Sequence, residues 1–350
     1  MSDFEEYKKQ GEPDKQKKAE NWGVAIGLQQ VDGLLPSKYL IEVAKDNIEG
    51  KISIDEATEQ VKQYYKINPA ITLKEQGEKE ADEVSARIAK ILSTHTFSFS
   101  PMEYISIHKA LFSGIFDDEI AGKLRTYDIT KDEPILNGDT VIYGRSDSLK
   151  ETLDYDFQTE KNFNYMGLSK AEKVTHLAKF ISGIWQIHPF GEGNTRATAV
   201  FTIKYLYTLG FKTNNDLFEK HSKYFRNALV RANYQNLEKD IPYTMEYLNK
   251  FFGNLLLGEN NLLDNREMQI KDISTQKTTQ KTTQKSPNST QKTTQKIIDV
   301  LRIDPKASRK ELAERLNTTE DSIKWHLETL KKENKIRRIG AAKGGYWEVL

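Results

Sequence analysis

The chain has 350 residues, and its 52 basic and 51 acidic side chains leave a formal net charge of +1 at pH 7. Because this overall charge is close to neutral, it predicts no partner, and a nucleic-acid surface would need local clustering of basic residues. The sequence has no cysteine, which excludes disulfide bonds, thiolate metal sites and cysteine nucleophiles.

The first twenty residues, MSDFEEYKKQGEPDKQKKAE, are highly charged and lack the apolar core of a signal peptide. Their composition predicts a disordered head at residues 1–20. No apolar run approaches the roughly 20 residues that a membrane-spanning helix needs. We therefore expect a cytoplasmic protein with no membrane partner. The oligomeric state stays open, with a dimer as one alternative.

Two helical regions follow the head. Residues 21–80 contain short amphipathic segments, and Ser53 and Glu56 frame one of them as a capping box. Across residues 81–258, apolar residues recur three and four positions apart, which predicts a larger helical bundle. One interruption, in which Asn137-Gly138 adjoins Thr140–Tyr143, is typical of a short β-hairpin. The predicted fold is therefore mainly α, a helical bundle with one hairpin.

The C-terminal part has a different composition. Residues 259–295 are predicted to be a linker, because the repeated STQKTTQK unit from 271 onward cannot bury a core. Residues 296–350 predict a small α/β winged helix-turn-helix domain, with a recognition helix at 319–332 and Gly344-Gly345 at the wing tip. Charge clustering favours DNA binding over protein docking, and both stay open. The residues that could face a groove are Lys324, Trp325, His326, Lys331, Lys332, Lys335, Arg337, Arg338 and Lys343.

The segment IHPFGEGNTRATAVF places unusual polar chemistry between two apolar helices. Pro189 disfavours helix at the residue before it, so the first helix should end near His188. Asn194 or Thr195 can cap the next helix, which should run to Gly210. The polar residues would then lie in a tight loop at a helix N-terminus, whose free N–H groups favour phosphate binding.

The side chains of this loop suit phosphoryl or nucleotidyl transfer. Gly191 and Gly193 would let the backbone approach an anion, and Arg196 could bond phosphate oxygens. Glu192 offers an oxygen ligand for Mg²⁺, and His188, with an ordinary pKa near ~6.5, could remove a proton from a hydroxyl. The simpler alternative is that His188 only ends a helix before a proline.

The stretch from His188 to Arg196 resembles the Fic signature H-x-F-x-[DE]-G-N-G-R-x-x-R, and the resemblance extends over about residues 81–257. The resemblance implies transfer of AMP from ATP, with Mg²⁺, to a Ser, Thr or Tyr hydroxyl of a target protein. It implies that His188 is the base, that Glu192 holds the metal, and that the hairpin is a flap that aligns the target. The nucleotide-binding residues that it implies are Gly191, Glu192, Gly193, Asn194, Thr195, Arg196, Val141, Ile142, Tyr143, Tyr224 and Asn233.

The sequence departs from the family pattern in several places. Thr195 replaces a glycine, and Ala199 replaces the second arginine, which in the family grips the ATP γ-phosphate. The N-terminal helices resemble the family's antitoxin-like inhibitory segment, with Asp32-Gly33 in the place of Glu-Gly. Because alanine cannot pair with Asp32, we expect weak inhibition unless Asp32 finds another cation such as Arg196. The alternative is a packing helix with a surface acid.

Two functions are therefore weighed. The first is a Fic-type protein adenylyltransferase, favoured by His188, Glu192, Asn194 and Arg196. The second is a transcription regulator whose weakly catalytic Fic fold senses a nucleotide, favoured by Ala199. The target protein and the DNA site are not given by the sequence.

Overall fold

The computed structural model describes residues 4–211 and 216–270, and selected residues of the C-terminal part. The latter are 297, 298, 300–302, 304–315, 323, 324, 327, 330, 331, 335–339 and 346–349. The chain divides into two compact units, Met1–Thr275 and Gln276–Leu350, which are described separately. In the described residues, no helix is both long enough and apolar enough to cross a membrane.

The N-terminal region is helical from its start. It comprises α1 (Glu5–Gln10), α2 (Pro13–Gly27), a 3₁₀ helix (Leu28–Asp32), α3 (Lys38–Ile48) and α4 (Ile54–Ile67). The predicted disordered head is therefore wrong for residues 5–20. The reason is tertiary: Phe4 is buried in the core, and the Lys8 ammonium pairs with Asp216, at 3.1 Å, and with Glu219. The predicted capping box of Ser53 and Glu56 is present at the start of α4.

Helix α5 (Leu73–Ser93) crosses the predicted boundary at residue 80 and packs along α2 and α4. Its buried Asp82 carboxylate accepts hydrogen bonds from the Ser37 N–H at 2.8 Å and from the Tyr65 hydroxyl at 2.8 Å. These bonds tie the start of α3 and the end of α4 to α5. The N-terminal helices and the bundle that follows consequently share one hydrophobic core.

The bundle contains α6 (Pro101–Phe112), α7 (Leu149–Lys161), α8 (Lys170–Ile187), α9 (Asn194–Thr208), α10 (Asp216–Lys220), α11 (Ser222–Asn233) and α12 (Glu246–Leu257), with short 3₁₀ turns at Pro134–Leu136 and Ser146–Ser148. Helix α9 is the central element, because every residue from Asn194 to Leu206 is buried. Helices α6 and α8 pack against α9. This packing places the start of α9 beneath the loop that connects it to α8.

The predicted hairpin at 137–143 does not form two strands. In residues 4–211 and 216–270 the structure has no β-strand, and residues 139–145 form an extended loop. The physical reason is sparse pairing. The Glu133 N–H donates to the Asp139 carbonyl at 3.0 Å, but the next bond, from the Lys131 N–H, goes to the Thr140 hydroxyl rather than to a backbone oxygen.

The first part of the predicted linker is also folded. Residues Asn265–Met268 form a 3₁₀ helix, and the Met268 side chain is buried in the core. The Ile270 N–H donates to the Ile135 carbonyl at 2.9 Å. The predicted linker therefore begins later than residue 259, because Met268 is buried and Leu263 and Ile270 pack against the core.

The second unit contains α13 (Arg309–Arg315) and the antiparallel strands β1 (Ile336–Ile339) and β2 (Tyr346–Val349). Ser308 and Glu311 cap α13 reciprocally, at 3.2 and 2.7 Å. The unit has a core of its own, formed by Ile297, Ile298, Leu301, Ala307, Leu312, Ala313, Ile323, Leu327, Leu330 and Ile336. The two-stranded wing predicted from the sequence is present. Trp325, His326, Lys332, Lys343, the Gly344-Gly345 tip and the repeat at 271–296 lie outside the described residues.

Candidate active site

Helix α8 ends at His188, as its sequence predicts. His188 has a left-handed conformation, with φ of 50°, and its N–H donates to the Trp185 carbonyl at 3.1 Å. Histidine tolerates this region better than most side chains. Since Pro189 follows, the chain turns sharply out of the helix and the imidazole stays in the core, with only 3% of the residue exposed.

The His188 imidazole is held in a state that suits a base. Its Nδ1 lies 3.3 Å from the Trp185 carbonyl oxygen, which requires the proton on Nδ1 and leaves the lone pair on Nε2. Nε2 is buried and has no hydrogen-bond partner among the residues that the structure describes. Burial, aided by the positive charges of Lys131, Arg125 and Arg226, lowers the pKa of His188 well below its usual value. The ring is therefore neutral at pH 7 and can accept a proton at Nε2.

The loop at 189–193 is closed by two reciprocal bonds. The Asn194 side chain accepts from the Phe190 N–H at 3.0 Å and donates to the Phe190 carbonyl at 2.8 Å. Gly193 has φ of 73°, and a Cβ there would overlap the Phe112 ring, so glycine is required. Gly193 is also the N-cap of α9, which corrects the predicted cap at Asn194 or Thr195. The Thr195 hydroxyl instead accepts from the Trp185 indole at 3.0 Å. The helix ends at Thr208, two residues before the predicted end.

Two buried side chains that sequence reasoning missed support this loop. The Arg125 guanidinium donates to the His188 carbonyl at 2.9 Å and to the carbonyls of Tyr127 and Gly144. The His108 ring accepts from the Gly122 N–H at 3.0 Å and donates to the Glu192 carbonyl at 2.9 Å. Burial lowers the pKa of His108 to about 4, so it stays neutral. No sequence pattern marks His108, because Glu192 lies 84 positions further along the chain.

Arg196 carries a positive charge one turn into α9, and its guanidinium already contacts other protein groups. Its side chain is 2% exposed; Nε lies 2.8 Å from the Asp32 carboxylate and Nη2 lies 2.6 Å from that of Glu80. Nη1 donates to the buried Gln29 amide oxygen at 3.0 Å. The guanidinium also lies over the Phe112 ring, 4.8 Å from its centre. Arg196 is thus tied to the N-terminal helices by two charges and one amide.

Asp32 does contact another cation in place of an arginine at position 199, and that cation is Arg196. Ala199 is fully buried in α9 and offers Asp32 nothing, but Asp32 reaches the preceding turn of α9 and contacts Arg196 instead. Gly33 ends the 3₁₀ helix with φ of 72° and leaves open space where a Cβ would be. Asp32 is therefore an exposed acid that forms an ion pair with a buried arginine.

Two parts of the sequence match known protein families. Residues 98–206 match the model of the Fic/DOC family, and residues 290–337 match that of the winged helix-turn-helix DNA-binding family. The chain carries a Fic domain. The predicted mainly helical fold with a C-terminal winged helix is confirmed by these matches. No curated protein matches the chain.

Three solved structures of Fic proteins resemble the chain at TM-scores below 0.5. The N-terminal Fic domain of Bep8 from Bartonella sp. 1-1C is 20% identical, with a TM-score of 0.41, and the match covers 54% of this chain and 88% of Bep8's. BepC from Bartonella tribocorum, solved with AMPPNP, is 19% identical at a TM-score of 0.39, covering 51% and 87%. A Fic family protein from Desulfovibrio desulfuricans G20 is 13% identical at a TM-score of 0.46, covering 99% and 91%.

Glu192 of the Fic domain is the residue predicted to hold Mg²⁺. Its side chain is more than half exposed, and its carboxylate lies 3.4 Å from the Lys131 ammonium. The described residues contain no group of three or more His, Cys, Asp or Glu side chains that could hold a metal. One accessible carboxylate nevertheless fits Mg²⁺, which proteins commonly hold with one or two carboxylates, water and substrate phosphates.

The predicted flap residues lie beside α8. The Ile142 carbonyl accepts from the Gln186 side chain at 3.1 Å, and the Gly144 N–H donates to the Gln186 carbonyl at 3.2 Å. Val141 and Tyr143 point inward and are buried, whereas Ile142 is 80% exposed. The loop therefore keeps the side-chain alternation of a strand and has an open edge, although no second strand pairs with it.

The two residues predicted to flank the adenosine are placed differently from each other. Tyr224 is fully buried and has no exposed surface, and its hydroxyl donates to the Tyr247 carbonyl at 3.3 Å. Asn233 is partly exposed, and its amide nitrogen donates to the Ser182 hydroxyl at 2.9 Å and to the Leu229 carbonyl at 2.9 Å. Neither polar side chain is free of protein partners.

Proposed function

We propose that the Fic domain transfers AMP from ATP to a Ser, Thr or Tyr hydroxyl of a target protein. The observation that carries the proposal is the His188 imidazole: it is neutral, its Nε2 is buried without a protein partner, and it borders a glycine loop at a helix N-terminus. A general base must be unprotonated and free to accept a hydrogen bond, and this nitrogen meets both requirements.

The reaction forms one bond and breaks one. The target hydroxyl oxygen attacks the α-phosphorus of ATP, its proton passes to His188 Nε2, and the bond between the α-phosphorus and its bridging oxygen breaks to release pyrophosphate. The N–H groups at the start of α9 would bind phosphate oxygens, and the Arg196 guanidinium would join them once it leaves Asp32, Glu80 and Gln29. Glu192 would hold Mg²⁺, which supplies charge neutralisation on those oxygens.

The remaining predicted contacts belong to the same proposal. The exposed Ile142 and the open backbone edge beside it would align an extended target segment by strand addition. The flap residues Val141 and Tyr143 would support it from the core side. Asn233 would border the adenosine, and Tyr224 would support that wall from behind, since it is buried.

The test incubates the protein with Mg²⁺ and either α-labelled or γ-labelled ATP. AMP transfer predicts label in protein from the α-labelled donor only. His188→Ala should reduce that labelling by about 10²- to 10⁴-fold and leave nucleotide binding nearly intact, because a base contributes to the chemical step. His95→Ala, which changes a histidine stacked on Tyr207, is the matched control. If His188→Ala labels protein at close to the wild-type level, His188 is not the base. Label in protein from γ-labelled ATP would indicate phosphoryl transfer instead of AMP transfer.

A second function is supported by the winged helix-turn-helix match at 290–337. Lys324 and Lys331 are exposed, as DNA binding requires. One positive charge of the wing is paired, because Arg337 contacts Glu348 across the strands at 2.9 Å, while Arg338 keeps its charge and lies over the Trp347 ring at 5.0 Å. We propose that this unit binds duplex DNA through the helix more than through the wing.

Titration of duplex DNA with the full chain at 50 and 200 mM salt tests the second function, because phosphate contacts weaken steeply with salt. Lys324→Ala should weaken binding, whereas Arg337→Ala should change it little. DNA affinity that depends on ATP and is unaffected by His188→Ala would favour a nucleotide-sensing regulator over an enzyme. The absence of binding at low salt would favour protein docking.

A further inference from the structure

The His188 imidazole is held between two aromatic rings. The Tyr143 ring centre lies 4.3 Å from the imidazole centre at an interplanar angle of 43°, and the Trp185 ring lies 5.4 Å away at 88°. Among the described residues, the imidazole makes one hydrogen bond, the 3.3 Å contact of Nδ1. One long bond still allows the ring to tilt about it. The orientation of Nε2 therefore depends on the packing of the two neighbouring rings.

Tyr143 is itself held by a buried ion pair. Its hydroxyl donates to Glu133 Oε1 at 3.3 Å, and the Glu133 side chain is fully buried. Arg226 of α11 donates to both oxygens of the same carboxylate, at 2.7 and 3.1 Å. A buried carboxylate is unfavourable unless it is paired and its remaining lone pairs are used. Arg226 supplies the charge and Tyr143 an additional donor.

We propose that Glu133 is a positioning residue for His188: held by Arg226, it fixes the Tyr143 hydroxyl, and the Tyr143 ring fixes the plane of the imidazole. The proposal rests on the proposed function, because it names what orients the base of that reaction. Glu133 is the N-cap residue of the 3₁₀ helix Pro134–Leu136, and its N–H donates to the Asp139 carbonyl at 3.0 Å, which brings the chain back toward Tyr143. The device thus links the flap loop and α11 to the end of α8.

The charges around the imidazole define what a variant would change. Three cations lower the pKa of His188, namely Lys131, Arg125 and Arg226. Lys131 is paired with Glu192 and Arg226 with Glu133. Removing the Glu133 charge would leave Arg226 unbalanced, whereas removing only the Tyr143 hydroxyl changes no charge. The two variants therefore separate positioning from electrostatics.

The experiment compares Tyr143→Phe and Glu133→Gln with a control pair from a cluster of the same kind. Glu160 is equally buried, and it accepts from the Tyr205 hydroxyl at 2.5 Å and from the His176 ring at 2.6 Å, so Tyr205→Phe and Glu160→Gln are matched controls. Tyr143→Phe should lower kcat for AMP transfer by about 2- to 12-fold and leave KM for ATP unchanged, because the bond to the Glu133 carboxylate is long, at 3.3 Å, and contributes no more than a typical hydrogen bond. Glu133→Gln should lower kcat by about 10- to 150-fold, because the lost partner is charged.

A second readout does not depend on activity. The imidazole C–H signals of His188 in the NMR spectrum, assigned by their loss in His188→Asn, should shift in Tyr143→Phe and Glu133→Gln and stay in place in both controls. If the wild-type protein transfers no AMP, the proposed function fails and these signals alone decide the positioning role. Unchanged His188 signals and kcat in a folded Tyr143→Phe protein would overturn the inference. That variant decides the question even if Glu133→Gln does not fold.

Discussion

The contacts of Arg196 predict that two single substitutions release the domain to different extents. Arg196 must face phosphate to take part in transfer, yet it is shared among Asp32, Glu80 and Gln29. Asp32→Ala and Glu80→Gln each remove one negative charge from it without touching the loop. Both should raise the rate of AMP transfer and tighten ATP binding, because the guanidinium becomes available to the nucleotide.

The structure also gives the order of the two effects. The Asp32 side chain is 39% exposed, so its attraction to Arg196 is screened by water and amounts to at most about 1 kcal/mol. That energy corresponds to an increase of up to about 5-fold. Glu80 is less exposed and makes a 2.6 Å charged hydrogen bond, for which about 1.5–3 kcal/mol is typical. Glu80→Gln should therefore activate by roughly 10- to 100-fold.

The assay measures initial labelling rates and ATP affinity for both single variants and for their combination. Glu78→Gln is the control, because Glu78 lies on the same helix and, within the described residues, pairs with Lys74 at 3.5 Å rather than with Arg196. Melting temperatures establish that each variant is folded. If the double variant is folded and both its rate and its ATP affinity equal those of the wild type, then Asp32 and Glu80 do not restrain Arg196. The reasoning about this contact would then be wrong.

Four further outcomes follow from the structure. Because its pKa is lowered, His188 should stay unprotonated as the pH falls through ~6.5, and the transfer rate should not decline there on its account. A rate that halves near pH ~6.5 because His188 becomes protonated would contradict the burial of the imidazole. The pKa of His108 is about 4 in the folded protein and near ~6.5 in the unfolded chain, so its contribution to stability is complete above pH ~6.5. The free energy of unfolding should fall by about 2 kcal/mol from pH ~7.5 to ~5, and denaturant titrations should show a smaller fall in His108→Gln. Ala199→Arg should lower the melting temperature rather than restore a phosphate contact, because residue 199 is fully buried and overpacking there costs about 1–3 kcal/mol. Glu192→Gln should raise the Mg²⁺ concentration for half-maximal labelling by about tenfold or more, whereas an unchanged Mg²⁺ titration would remove Glu192 as the ligand.

The parts of the site that could be predicted from the sequence are those fixed by near neighbours. The turn at His188 follows from Pro189, and the need for glycine at 193 follows from the chain reversal between two apolar helices. The partners of Arg196 could not be predicted in the same way. Gln29 lies 167 positions from Arg196 and Glu80 lies 116 positions from it, and no local pattern brings them together.

The errors in the fold have related causes. The residues around Thr140 have a strand-like alternation, and Val141 and Tyr143 are indeed buried, but no neighbouring segment supplies the hydrogen bonds of a second strand. The head is charged, but Phe4 is buried in the core, and Lys8 pairs with two carboxylates of α10 more than two hundred positions away. In both places tertiary contacts overrode composition.

The burial of α2 limits how the hold on Arg196 can be broken. Trp22 is fully buried and donates through its indole to Asn47 at 3.0 Å, and Val24 and Ala25 are buried with it. Separating α2 from the core would expose all of this surface and cost several kcal/mol. The five-residue 3₁₀ helix that carries Gln29 and Asp32 is much shorter, and its last residue is already in contact with water. Amide hydrogen exchange should accordingly be fast at residues 30–33 and slow at 22–26, so that the motion that separates Asp32 from Arg196 is a local fraying of one turn, with the rest of the N-terminal helices still folded in place.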